Sequence, residues 1–212
     1  MKKILPLLFA GALLATACEK LPDTDKLDND YLVYTNYDDD TDFKKFSTFY
    51  VPDSVLIIDN SSNKPKYLYG TPASDIIIAN YVSGMEKAGF VRTTDKESAD
   101  LGLQISYIED TYRFRYFNNY PWWYGYPWYW NFGYWGNWGG WYWPYNITYS
   151  YSTGSILGEL VDLSDTPNAT KTLRVVWTSY ITGLLNSNGS LNTSYVQKAI
   201  DQAFMQSTYL KK

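Results

Sequence analysis

A chain of 212 residues with a formal net charge of −4, 45% hydrophobic and 19% aromatic, has material for one packed domain and a tether. It holds no histidine and a single cysteine, which excludes Ser-His-Asp and Cys-His nucleophile machinery, an intrachain disulfide and any cysteine–histidine zinc set. An acidic chain with no basic cluster also makes nucleic acid a poor partner.

Lys2 and Lys3 precede an apolar run from Ile4 to Leu14, too short to remain as a membrane span. Ala15-Thr16-Ala17-Cys18 follows and resembles a bacterial lipobox. There, small residues fit the signal peptidase and the cysteine thiolate accepts a diacylglyceryl group. Ala15-Thr16-Ala17 fits an ordinary signal-peptidase junction as well. The lipoprotein reading predicts a signal peptide over 1–17 and fatty acyl chains such as palmitate on Cys18. It predicts a place in the cell envelope, at the outer membrane, facing either the periplasm or the exterior. Two or three acyl chains hold a protein on a bilayer essentially permanently.

Residues 18–41 read as the lipidated N-terminus and an acidic tether, with one small apolar patch from Tyr31 to Tyr34. Asp38-Asp39-Asp40-Thr41-Asp42 lacks the glycine and distal glutamate of a calcium loop and reads as solvated charge. No metal or other cofactor is expected.

Residues 42–212 read as a single domain. Phe43, Phe46, Phe49 and Val51 lead into a strand, which Val55 to Ile58 continues past Pro52. A turn-rich stretch covers Asn60 to Lys66. A helix follows, capped by Thr71, opened by Pro72 and stopped at Gly89, with Ile78, Tyr81, Val82 and Met85 on one face. Leu101, Leu103, Ile105 and Tyr107 alternate with small or polar residues, as do Ile147, Tyr149 and Tyr151. Ser155 to Leu163 is apolar on both parities, as a central strand would be. Asp165-Thr166-Pro167-Asn168 marks a turn, and Leu173, Val175 and Trp177 form another alternating strand. A last helix, capped by Asn192 or Thr193, carries Val196, Ala199, Ile200, Ala203 and Phe204. The pattern predicts an α+β two-layer sandwich: a mostly antiparallel sheet of four to five strands with two helices on one face. Ile78, Val82, Leu103, Ile105, Val175, Trp177, Ile200 and Phe204 should lie between sheet and helices.

Carboxylates are the only acid–base candidates. Strand alternation places Glu159 and Asp162 on opposite faces, which suits turn caps and exposed strand positions better than a catalytic pair. No enzyme activity is expected. Asp53-Ser54-Val55 resembles a short bacterial O-glycosylation sequon centred on Ser54. Residues 116–145 stand apart as an insertion: eight Trp, eight Tyr, two Phe, five Gly, three Pro, four Asn and no charge. Gly and Pro at this density forbid a regular helix or a continuous strand, so a long loop is expected. Its Trp122, Trp123, Trp128, Trp130, Trp135, Trp138, Trp141 and Trp143 are candidate contacts for a ligand or a membrane. Three roles follow: a structural or binding lipoprotein using the loop to touch an envelope protein or glycan, a carbohydrate-binding module stacking Trp and Tyr on sugars, or a membrane-contacting protein. The bilayer itself would be a partner through acylated Cys18.

Several pieces in order carry a resemblance. They are Asp42-Phe43-Lys44-Lys45-Phe46-Ser47-Thr48-Phe49, then Ala99-Asp100-Leu101, then Gly158-Glu159-Leu160-Val161-Asp162-Leu163, then Val176-Trp177. Together they resemble the bacterial lipoproteins of the domain-of-unknown-function family DUF4136, over about residues 31–210. The sequence departs at Tyr50, where a small residue or Trp is frequent, and at Thr178, where Arg is common. The resemblance implies an envelope location and supplies no catalytic residues.

Overall fold

In the computed structural model the described residues are 31–58, 66–109, 112–113, 150–151, 154–164 and 174–212. The strands are β1 Leu32–Tyr37, β2 Thr48–Tyr50, β3 Ser54–Ile58, β4 Lys66–Tyr69, β5 Val91–Arg92, β6 Leu101–Ile108, β7 Tyr112–Arg113, β8 Ser150–Tyr151, β9 Ser155–Asp162 and β10 Arg174–Thr182. The helices are α1 Pro72–Lys87 and α2 Thr193–Gln206.

Eight of these strands make one open, mixed sheet in the order β1-β10-β9-β6-β2-β5, with β3 beside β6 and β4 beside β3. β7 and β8 pair separately. The sheet is therefore wider than the four to five strands expected. β4 and β5 are too short to show a period in sequence, and β1 lies within residues 18–41, where acidic residues mask it. β2 and β3 run end to end along one side of β6, with Phe49 opposite Leu101 and Leu56 opposite Ser106. Pro52 breaks this line, as the sequence suggests, because proline cannot donate to a ladder. Both segments run parallel to β6, since α1 carries the chain across the sheet between them, whereas β6, β9, β10 and β1 are antiparallel.

Local chemistry explains the helix ends. Thr71 and Ser74 form a reciprocal capping box, Pro72 opens α1, and Gly89 follows it at φ 102°. The Asn192 side chain accepts from the N–H groups of Ser194 and Tyr195 at the start of α2. Phe43–Lys45 is a 3-10 turn ahead of β2, because Asp42 accepts from Lys44 N–H and caps it. Asp100 ties the crossover down. Its carboxylate accepts from the N–H groups of Ser47 and Thr48 at 2.7 and 2.9 Å, while its own N–H donates to Thr48 Oγ1 at 3.0 Å. Burial alone would raise the Asp100 pKa. The donors from Thr48 and Ser47 and the charge of Lys212 outweigh that and hold it below the usual carboxylate range.

The main core lies between the sheet and the two helices. Ile78, Leu103, Ile105, Trp177 and Ile200 are buried there as expected. Val175 is buried too, but in a smaller cluster on the far face with Ala99, Val161 and Leu163. The cause is a bulge between Val175 and Trp177, which turns both Val176 and Trp177 toward the helices. Val82 and Phe204 are only half-buried. Phe204 fills the notch that Gly84 leaves between α1 and α2: a Cβ at Gly84 would lie 2.2 Å from its ring.

That contact makes a prediction. Gly84→Ala adds up to about 1 kcal/mol of helix propensity and forces Phe204 out of place, an overpacking cost of about 1–3 kcal/mol. The variant should unfold at lower denaturant than wild type. Phe204→Ala should lose about 2 kcal/mol, less than the ~3–5 kcal/mol of a fully buried phenylalanine. A stabilised Gly84→Ala protein in chemical denaturation would contradict this packing.

Candidate functional site

Sequence reasoning nominated residues in several places. Cys18 and the eight tryptophans between Trp122 and Trp143 lie outside the described residues. Ser54 is the first residue of β3 and is half-buried, and its neighbour Asp53 pairs with Arg92 at 3.3 Å on the surface. The acidic run is structural. Asp38 binds the Arg174 guanidinium, and Thr41 accepts from the same group at 2.6 Å. Asp162 caps the turn after β9, accepting from Ser164 N–H at 2.9 Å. Among the described residues, no group of three or more His, Cys, Asp or Glu could hold a metal ion.

Glu159 is different. The sequence suggests an exposed strand position, yet only 2% of the residue is exposed. All eight residues of β9 are buried, so its sheet neighbours and both faces are closed to solvent. Apolar residues on both parities of Ser155 to Leu163 were the signal that could have exposed this in sequence. A strand without a wet face has no wet place for its glutamate.

The two faces of β9 differ in chemistry. Toward the helices, Ile105, Gly158 and Ser179 sit side by side on β6, β9 and β10. Gly158 is needed there because the ring of Tyr81 from α1 rests on it, 2.5 Å from where a Cβ would stand. The Tyr81 hydroxyl and Ser179 Oγ are 2.8 Å apart and fully buried. Trp177 Nε1 donates to Ser207 Oγ at 2.9 Å, so each large polar ring of this core has a partner.

On the far face, Gln104, Glu159 and Thr178 form the next row across β6, β9 and β10. The row beside it holds Leu56, Ser106, Leu157 and Tyr180. Gln104 Nε2 donates to Ser106 Oγ at 3.4 Å, and Ser155 Oγ lies 3.1 Å from the Tyr180 hydroxyl. The Glu159 carboxyl makes no hydrogen bond or ion pair with any described residue. Burial pushes its pKa well above the ordinary carboxylate value. Burial likewise raises the Tyr81 phenol, the Ser179 hydrogen bond acts the other way, and the charge of Glu159 behind Gly158 adds to the rise. The row is thus a buried acid that favours its neutral, proton-donating form, flanked by an amide and a hydroxyl.

A mixed sheet with two helices on one side and a polar row buried on the other defines an open α/β domain. The family model for DUF4136, a domain of unknown function, matches residues 33–207. The chain belongs to that family. The crystal structure of a DUF4136 family protein from Bacteroides thetaiotaomicron is 49% identical in sequence, with a TM-score of 0.73, covering 87% of this chain and 99% of the other. A PelC dodecamer from Paraburkholderia phytofirmans matches at 15% identity and a TM-score of 0.40, covering 85% and 97%. A Xanthomonas campestris protein of the family model DUF330 matches at 15% and 0.27, covering 77% and 79%. Scores this low do not bear on the fold or assembly of this chain. No curated protein matches it.

The buried acid fixes a pH signature. Its folded pKa lies above the unfolded one, so the folded state holds the extra proton. The stabilising contribution is complete below the ordinary carboxylate pKa and is lost as pH rises through the folded pKa. Among the described residues, the groups that meet Glu159 are Gln104 on β6, Thr178 on β10 and, through Gly158, Tyr81 on α1. Glu159→Gln mimics the neutral form at every pH. Its stability should match wild type near about pH 4 and gain on it by about 1.4 kcal/mol per pH unit above that, until the folded pKa is passed. Denaturation curves of both proteins across this range check it; a constant difference would mean that Glu159 titrates normally.

Proposed function

We propose that this protein is a non-enzymatic lipoprotein of the bacterial envelope, anchored through Cys18, with residues 116–145 as its contact surface. The observation that carries the reading is the composition of that segment, rings without charge. The described residues on either side of it, Arg113 and Ser150, are paired on β7 and β8, so the chain enters and leaves the segment side by side. Trp and Tyr suit wet interfaces because each joins an apolar body to a hydrogen-bonding tip. Among the described residues no helix is long and apolar enough to cross a membrane.

Eight of the nine tryptophans lie in this segment, so intrinsic fluorescence reports on it almost alone. Cys18→Ala should abolish acyl labelling and release the protein from the membrane fraction. On that released form, emission should shift when material from the envelope is added. A shift with soluble saccharides would identify a glycan, a blue shift with lipid vesicles would identify a bilayer, and a shift with envelope protein alone would identify a protein partner. A Cys18→Ala chain that stays in the membrane fraction would remove the anchor, and emission unmoved by all three would remove the contact role.

A further inference from the structure

Covalent bracing by an intrachain disulfide is closed to this chain, which holds a single cysteine. Oxidisable rings do meet, however, where β1 touches the turn after α2. Tyr37 is the last residue of β1, an outermost strand of the sheet that pairs with β10. Tyr209 lies in the 3-10 turn Thr208–Leu210. Their rings stack, with centroids 3.7 Å apart and planes 22° apart. That contact lays ring over ring, the approach that two phenoxyl radicals need in order to couple. Among the described residues Tyr31 and Tyr195 also meet, but at 5.7 Å with their planes tilted by 49°.

The two partners are held differently. The Tyr209 hydroxyl donates to Ser207 Oγ at 3.1 Å, and the same oxygen accepts from Trp177 in the core. Phe43 flanks both rings, 5.9 Å from Tyr209 and 6.4 Å from Tyr37. Tyr209 is thus the fixed member of the pair. Tyr37 is 37% exposed, so an oxidant in solvent can reach it, and its ring has room to leave the stack for the twisted geometry of a biaryl. The charge of Asp39, then burial and a hydrogen bond with Asp39, hold the Tyr37 phenol above its ordinary pKa. It is therefore a neutral phenol that gives up a proton with its electron, and the Asp39 carboxylate stands beside it to accept that proton.

We propose that Tyr37 and Tyr209 form an oxidative modification site, at which a haem peroxidase using hydrogen peroxide joins the two rings as dityrosine. Each phenol gives one electron and one proton to form a phenoxyl radical. The radicals couple between the ring carbons next to those that bear oxygen, and the hydrogens on the joined carbons move to restore both phenols. In sum two carbon–hydrogen bonds break and one carbon–carbon bond forms. The two electrons and two protons released convert one hydrogen peroxide into two waters. The new bond fastens β1 to the turn after α2 and closes a loop that holds every other strand and both helices. Crosslinks over long loops restrict the unfolded chain most. This site lies outside the 116–145 segment and depends on neither the lipid anchor nor an envelope partner.

The test treats the whole chain at low concentration with a haem peroxidase and limiting hydrogen peroxide, and reads the monomeric product by peptide mass spectrometry. The monomer should lose two hydrogens in mass, with the peptide of Tyr37 joined to the peptide of Tyr209. Tyr37→Phe and Tyr209→Phe should each lose that joined peptide, whereas Tyr34→Phe should keep it. A treated monomer without the joined peptide, or with Tyr31 joined to Tyr195 as often, would overturn the assignment. The linked monomer should also unfold at a higher temperature than the untreated one, and an unchanged temperature would overturn the bracing role. Neither failure touches the fluorescence test of the contact role.

Discussion

The central constraint on this fold is that β6 and β9 bury side chains on both faces. A sheet with one wet face needs one layer of helices; this one needs a cover on each side. The helix side meets the demand with a short set of close fits. Tyr81 lies on Gly158 and reaches Ser179, Trp177 reaches Ser207, and Phe204 occupies the space at Gly84. Each fit requires either a missing Cβ or a hydroxyl at one position, so the layer has one register against the sheet. On the far side the demand falls on different chemistry, a polar row set between leucines and isoleucines.

The motifs that carry the family resemblance serve this architecture. Asp42 caps the turn that starts the domain's first crossover, and Ser47, Thr48 and Asp100 lock β2 to the head of β6. Gly158 admits Tyr81, and Val176-Trp177 is the bulge that sends two large side chains to the helix side. These residues define a scaffold. Glu159 is the exception. Its removal from water exceeds anything that strand pairing requires, and it lies at the centre of the face away from the helices.

Much of this was legible in sequence, for identifiable reasons. Caps with a mechanism were readable: Thr71 with Pro72, Gly89, and Asn192 mark their helix ends because each satisfies a backbone group or a left-handed turn. The break at Pro52 was readable as an interruption of one strand line. β4 and β5 were not, since two to four residues cannot display a period. The far-face position of Val175 was not either, because a bulge changes the parity of a strand without marking its composition. Glu159 was misplaced by treating charge as exposure, although the unbroken apolar parity around it argued for burial. For the candidate contact site, composition alone singled out residues 116–145, which lie outside the described residues.

The account makes β6 and β9 the centre of a core closed on both faces. Hydrogen exchange tests this most directly. The backbone amides of β6 and β9 should exchange only through global unfolding, as the centre of a two-sided core does, while those of the short edge strand β5 exchange through local opening. Amides of β6 and β9 that exchange as fast as those of β5 would show that one face is open, and would contradict the account.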